Sequence, residues 1–274
     1  MISKVAIVKT IEGHQKALER ALSLIGGIDD LNARNRDVVV KIGIYDARGL
    51  QYPTLEATKA VVNAFNHAHH VFLVESDNHI DKALNRLQMW KEAFTKRVLP
   101  FSLTEDKNVK EVSIIGEKVN LSQVLFKPNV RVSFHAFKGA GGPDWVQGTI
   151  LKNLLGIIPD TKKERFHDKL GVALVDMMEA IGGLDLAIID ATYTYYGKFE
   201  EGKPSDRLKT NLLVIGRDAV AVEAVGCALV DRNPLDTPSL AEAAKRGFGP
   251  IDLNKIEILG EPLENVKIKI PRQS

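Results

Sequence analysis

Short runs of β-branched and other apolar residues recur along this chain, separated by longer stretches of helical periodicity. That alternation restricts the fold more than any other feature. Strands are expected at residues 4–9, 37–42, 70–75, 129–135, 184–190, 212–215 and 255–259. The runs Val38-Val39-Val40 and Ala187-Ile188-Ile189 are apolar at successive positions, as strands covered on both faces must be. Strands alternating with helices predict an α/β fold, a mainly parallel sheet covered by helices on both faces. With 274 residues, 45% of them hydrophobic, the chain can bury a large core. One α/β domain over 1–274 is expected, and the one candidate seam lies near 109–127. There two alternating segments flank Gly116-Glu117, which predicts a small antiparallel hairpin excursion.

Helices are expected at 14–25, stopped by Gly26-Gly27, at 53–67 from Pro53 and Thr54, and once or twice within 80–96. Thr161 to Glu164 and Ser239 to Glu242 both have capping-box spacing. The first opens a predicted helix to Ile181; the second opens a short one stopped by Gly247.

Lys and Arg number 37 against 35 Asp and Glu, a net charge of +2, which gives no electrostatic footprint for nucleic acid. The basic run Lys162, Lys163 and Arg165 is interrupted by Glu164 and reads as a solvated helix face. Cys227 is the single cysteine and sits in an apolar run, so it reads as core. One thiol can build neither an internal disulfide nor an iron–sulfur cluster from this chain's own cysteines. Neither a signal peptide nor the ~18 apolar residues of a membrane span is evident, so a cytoplasmic protein without a membrane partner is expected.

Open parallel sheets bind ligands outside the carboxyl ends of their strands. Here those ends are polar: Lys41 then Asp46; Glu75-Ser76-Asp77; Ser133, His135 and Lys138; Asp190, Thr192 and Tyr193; Arg217-Asp218. If the strands are parallel, these groups share one rim. Asp218 precedes an apolar helical run and reads as its cap. No helical run follows Asp190 at once, so a site role and a structural one both stay open.

Lys138-Gly139-Ala140-Gly141-Gly142-Pro143 follows a strand. Backbone N–H groups in such a turn, with Lys138 beside them, can cradle a phosphate or carboxylate, and a plain tight turn is an equal reading. In the next helix, Val146, Ile150, Leu151, Leu154 and Leu155 form the apolar stripe, while Thr149, Lys152 and Asn153 share another face. That face is either solvated or, if the glycine turn is a site, within its reach. Among seven histidines, His67, His69 and His70 suit a surface turn better than a metal site. His135 and His167 are the candidates for proton transfer.

The run Leu151-Lys-Asn-Leu-Leu-Gly-Ile-Ile-Pro159, with Phe166-His167 after it, resembles the LKN(L/F)xGxxP…H signature of domain-of-unknown-function family 362. Ile188-Ile-Asp190 is similar to its "iiD" strand, and Val214 to Glu223 to its "aGxDPVAVDA" segment. Gly247-Phe-Gly-Pro and 256–260 resemble its close, and the likeness is strongest from Val132 to Gly260. The resemblance implies an α/β core and a redox setting, because members are often fused to ferredoxin-like modules and described as iron–sulfur proteins. Any electron carrier here would be a separate partner. Three positions depart from the pattern. Ile42-Gly43 follow Lys41 in place of Pro-Asn; His135 stands where the family has the first lysine of Pro-Lys-x-Lys-x-His; and Glu223 replaces an aspartate.

Three functional readings follow. The leading one is an enzyme acting on a small anionic metabolite or cofactor precursor. Lys41, Lys138, Gly139, Gly141, Gly142, Lys152 and Asn153 would hold the ligand, His135 or His167 would move protons, and Asp190 would orient a histidine or bind a cation. A second reading adds a divalent metal held among Glu75, Asp77, His135, His167 and Asp190. The third is a non-catalytic binding or assembly partner of a ferredoxin-like redox protein, which would show as an exposed apolar patch instead of a polar pocket.

Overall fold

The computed structural model describes residues 2–139, 149–197 and 200–271. Gly141 and Gly142 of the glycine turn lie outside them, as do Pro143 and Val146. In chain order the elements are β1 (Ser3–Lys9), α1 (His14–Leu24), β2 (Val38–Ile42), α2 (Leu55–Ala64), β3 (Val71–Glu75), α3 (Ala83–Leu87), β4 (Val98–Ser102), β5 (Val109–Ile114), β6 (Glu117–Ser122), β7 (Val130–Lys138), α4 (Ile150–Asn153), α5 (Leu170–Ala180), β8 (Leu186–Tyr196), β9 (Asp206–Gly216), α6 (Ala219–Leu229), α7 (Pro238–Lys245), β10 (Ile256–Gly260) and α8 (Leu263–Val266).

Eight strands form one sheet in the order β10-β1-β9-β8-β7-β2-β3-β4, and β5-β6 form a separate antiparallel pair. Every pairing in the large sheet is parallel except those of β9 with β1 and β8. Side-chain alternation sorts the two faces. Val38, Val40 and Ile42 of β2 pack with Leu18 of α1, Val61 of α2 and Trp90, whereas Val39 packs with Leu151 of α4 and Leu174 of α5. The β5-β6 hairpin contributes Ile114, Val119 and Leu121 to the same core as α5. Among the described residues no helix is long and apolar enough to cross a membrane.

Several expectations need correction. The strand expected at 212–215 is the end of β9, which runs against its neighbours, because β8 continues past Asp190 to Tyr196 before the chain turns back. Gly216 therefore pairs with Val5 and Ala187, near the starts of β1 and β8, so Arg217-Asp218 lie at the opposite end of the sheet from the other polar strand ends. Asp218 is a helix cap, accepting from Val220 N and Ala221 N at 3.0 Å each.

The edge strand β4 carries Pro100, tolerated there because an edge has a free side. That proline conceals β4 in the sequence. Neither capping box forms. A 3-10 helix over Lys163–Lys169 opens without a side-chain cap and leads into α5; Thr237 precedes α7, with Pro238 in its first turn and Ser239 buried. The hairpin turns on Ile115 and Gly116, both at positive φ, one residue earlier than expected.

A cationic cleft at the carboxyl ends of the central strands

Strands β2, β3 and β7 end around a cavity of about 240 Å³. Its lining includes Lys41, Glu75, Arg86, His135, Lys152 and Lys163, and Lys138, Asn153, Glu164 and His167 also border it. At its floor Lys41 Nζ donates to Glu75 Oε1 at 2.6 Å and to Asn153 Oδ1 at 3.0 Å. The Asn153 amide nitrogen donates in turn to the Lys41 carbonyl at 2.7 Å and to Ser133 Oγ at 3.1 Å. Ser133 completes the chain by donating to Ile150 O at 3.1 Å. Lys41 and Ser133 are register partners in β2 and β7, so the pairing brings both under α4.

Glu75 is the hub on the other side. Its carboxylate also accepts from Ile44 N at 3.3 Å and Ser76 N at 2.9 Å, and Arg86 Nη2 lies 3.7 Å away. Arg86 donates to the carbonyls of Ile44 and Ser76, clamping the loops after β2 and β3 together. Its Nε is, among the described residues, the buried side-chain nitrogen or oxygen left without a partner. Burial pulls the Lys41 ammonium below its ordinary range, and the adjacent Glu75 charge opposes that fall.

Two glycines make this floor possible. A Cβ on Gly156 would stand 2.6 Å from Lys41 Cε and Nζ, and one on Gly43 would stand 1.7 Å from His135 Cδ2. The bare Cα of Gly43 thus leaves room for the His135 ring. His135 Nδ1 lies 2.8 Å from Ala136 O. A carbonyl only accepts, so Nδ1 carries the proton and Nε2 the lone pair. Burial, then the charge of Lys138, drives the His135 pKa well below 6.5, which keeps the ring neutral.

Lys163 turns inward to donate to Asp77 O and, at 2.7 Å, to Asp160 O; burial brings its ammonium down to about 8. The basic run therefore divides, with Lys162 solvated and Lys163 a cleft residue, which corrects the solvated-face reading. Arg86 and Lys163 are cleft-lining residues whose placement the sequence does not disclose. Arg86 had only a partial signal: it lies three residues after Ala83 and four before Trp90, on an apolar helical stripe.

Of the expected site residues, the fold brings Lys41, His135, Lys138, Lys152, Asn153 and His167 to one cavity. The face formed by Thr149, Lys152 and Asn153 points inward, with Thr149 and Asn153 buried. Gly139 packs instead against β8, its N–H donating to Tyr195 O at 2.9 Å. Asp190 is in register with Ala136, so it leaves the sheet on the face opposite His135. There it accepts from Thr54 N (2.7 Å) and Thr54 Oγ1 (2.9 Å) at the start of α2, and from Thr192 N and Oγ1. His14 Nε2 approaches Thr192 Oγ1 at 2.7 Å. The oxygen and nitrogen ligands expected to share a metal are thereby split between two faces.

A further residue holds α4 in place. Buried Glu223 of α6 accepts from Thr149 N at 2.7 Å, Ile150 N at 2.5 Å and Leu151 N at 3.0 Å.

Fold and cleft together define an α/β protein with a cation-lined pocket at the carboxyl ends of its parallel strands. The family model described as "Domain of unknown function (DUF362)" matches residues 38–228, well over half of the chain. The chain belongs to that family, and the match takes in every element that borders the cleft. Among curated proteins none matches the chain.

Proposed function

We propose that the protein is an enzyme that acts on a small anionic metabolite or cofactor precursor, held in the cleft beyond β2, β3 and β7. The observation that carries this reading is the charge balance of the lining: Lys41, Arg86, Lys138, Lys152 and Lys163 against the two carboxylates Glu75 and Glu164. Lys41 and Arg86 share the single carboxylate of Glu75, and across the whole lining five cationic side chains face two carboxylates. Low-dielectric walls focus such a field on a ligand. The volume falls below the ~300–1,000 Å³ of pockets for drug-sized ligands, which suits a small molecule.

Neutral His135, with its lone pair on Nε2, supplies a proton acceptor, and Lys163, near 8, supplies a group that exchanges protons close to neutral pH. A cytoplasmic setting accords with this reading.

The test is calorimetric titration with inorganic phosphate, pyrophosphate and small dicarboxylates, on the native chain and on Lys152→Met and Lys163→Met. At least one probe should bind, and each variant should weaken it by about tenfold or more, the worth of one charge-assisted hydrogen bond. Binding that is equal in all three proteins removes the cleft from the function.

A further inference from the structure

At the opposite end of the same strands, three ligand-type side chains converge. Asp37 immediately precedes β2, and His69 and His70 immediately precede β3. Asp37 Oδ1 lies 3.0 Å from His69 Nδ1 and 3.3 Å from His70 Nδ1, and all three ligand atoms fall within 4.8 Å of one another. Among the described residues this is the trio of His, Cys, Asp or Glu side chains that meets this test.

The geometry can be compared with that of a coordination shell. Metal–ligand bonds of about 2.0–2.1 Å place neighbouring donor atoms about 2.9 Å apart in an octahedron and about 3.3 Å apart in a tetrahedron. The two Asp37–histidine separations, which are also Nδ1···Oδ1 hydrogen bonds, are close enough that an ion could replace the shared protons with little movement of the side chains. Two imidazole nitrogens and one carboxylate oxygen form a borderline donor set that suits zinc and its first-row neighbours; magnesium and calcium take oxygen ligands.

The backbone beneath the trio is already fixed. Val38 N donates to His70 O at 2.9 Å, and His69 N to Arg36 O at 3.2 Å. The His70 amide also donates to Asp37 Oδ1 at 3.1 Å, orienting the carboxylate. The His69 side chain is 63% exposed, so an ion can enter directly and complete its shell with water.

We propose that Asp37, His69 and His70 form a binding site for one divalent first-row transition metal ion of the zinc class, bracing the amino ends of β2 and β3. The spacing of His69 and His70 in the sequence suggested a surface turn; Asp37, more than thirty residues earlier, supplies the ligand that sequence spacing does not reveal. The site stands apart from the cleft and does not depend on its function.

The experiment uses the full chain purified without an affinity tag. Zinc titration by calorimetry should give one equivalent, and Co²⁺ should produce a ligand-field absorption band at the same stoichiometry. His69→Gln, an exposed substitution that leaves the Asp37–His70 contact in place, should weaken zinc at least about tenfold, and His69→Gln with His70→Gln should abolish the cobalt band. Zinc should also raise the thermal midpoint of the native chain more than that of the double variant. Less than a tenth of an equivalent bound to the native chain, or equal affinity in the native and His69→Gln proteins, overturns the proposal.

Discussion

Asn153 grips Lys41 at both ends: its amide oxygen accepts from the Lys41 ammonium at 3.0 Å, while its amide nitrogen donates to the Lys41 backbone carbonyl at 2.7 Å. One side chain from α4 thus sets the position of a buried charge on β2. Asn153→Ala removes both contacts, together with the bond to Ser133. Groups buried without a partner each cost about 1–3 kcal/mol, so chemical denaturation should show a loss of that order. Asn153→Asp should not rescue it, because a carboxylate cannot donate to the Lys41 carbonyl; native stability in the aspartate variant would show that these contacts do not hold the floor.

Glu75 should matter more than the lysine it pairs with. It compensates both Lys41 and Arg86, at 2.6 and 3.7 Å, and also accepts two backbone N–H groups. Glu75→Gln leaves two buried cations without a counter-charge, and breaking a buried pair from one side costs about 3–5 kcal/mol. Lys41→Met leaves Glu75 with Arg86, so its cost should be smaller. The order of the two losses in denaturant midpoints is the check, and the reverse order would mean that Arg86 does not share the Glu75 charge.

Lys163 gives the cleft a pH response with a definite sign. Burial lowers its ammonium from 10.5 to about 8. Below pH 8 the group is charged and attracts an anion; above it the amine is neutral, so affinity for phosphate or a dicarboxylate should fall between pH 7 and 9. The unfolded chain keeps this proton up to about 10.5, so between 8 and 10.5 it binds more protons than the folded chain. Folding stability from this group therefore rises with pH across that window, opposite to ligand affinity. Lys163→Met should flatten both trends. A native affinity that stays level from pH 7 to 9 would take Lys163 out of ligand binding.

The β-branched runs and glycine stops of the sequence disclose most strands and helices, because burial and turn geometry are local demands. Strand direction and register are not local. Asp190 and His135 both end apolar runs, yet their separation onto opposite faces follows from Asp190 pairing with Ala136 instead of His135, a one-residue matter of register. The reversal of β9 likewise carries Arg217-Asp218 to the far end of the sheet. Lys163 sits in a run whose charges resemble a solvated face, and it turns inward because Asp77 and Asp160, distant and near in sequence, offer it carbonyls. Asn153 was legible as a candidate, but its role depends on a carboxylate in another helix.

That carboxylate is Glu223, and its removal should act on the cleft from a distance. Three successive N–H groups at the start of α4 converge on it at 2.5–3.0 Å, and the residue is buried. Glu223→Ala leaves those donors without an acceptor, a loss on the order of 3 kcal/mol or more. Glu223→Asp keeps the carboxyl group and withdraws it by one methylene, so the bonds lengthen without vanishing, and the stability loss should be smaller. Because α4 carries Lys152 and Asn153, the aspartate variant should weaken phosphate or dicarboxylate binding although residue 223 does not line the cavity. Calorimetry and denaturation on the same preparations separate the two effects. An aspartate variant that is destabilised but binds as tightly as the native chain would show that α4 finds its position from the surrounding core, through Leu151 and Leu154, without the Glu223 anchor.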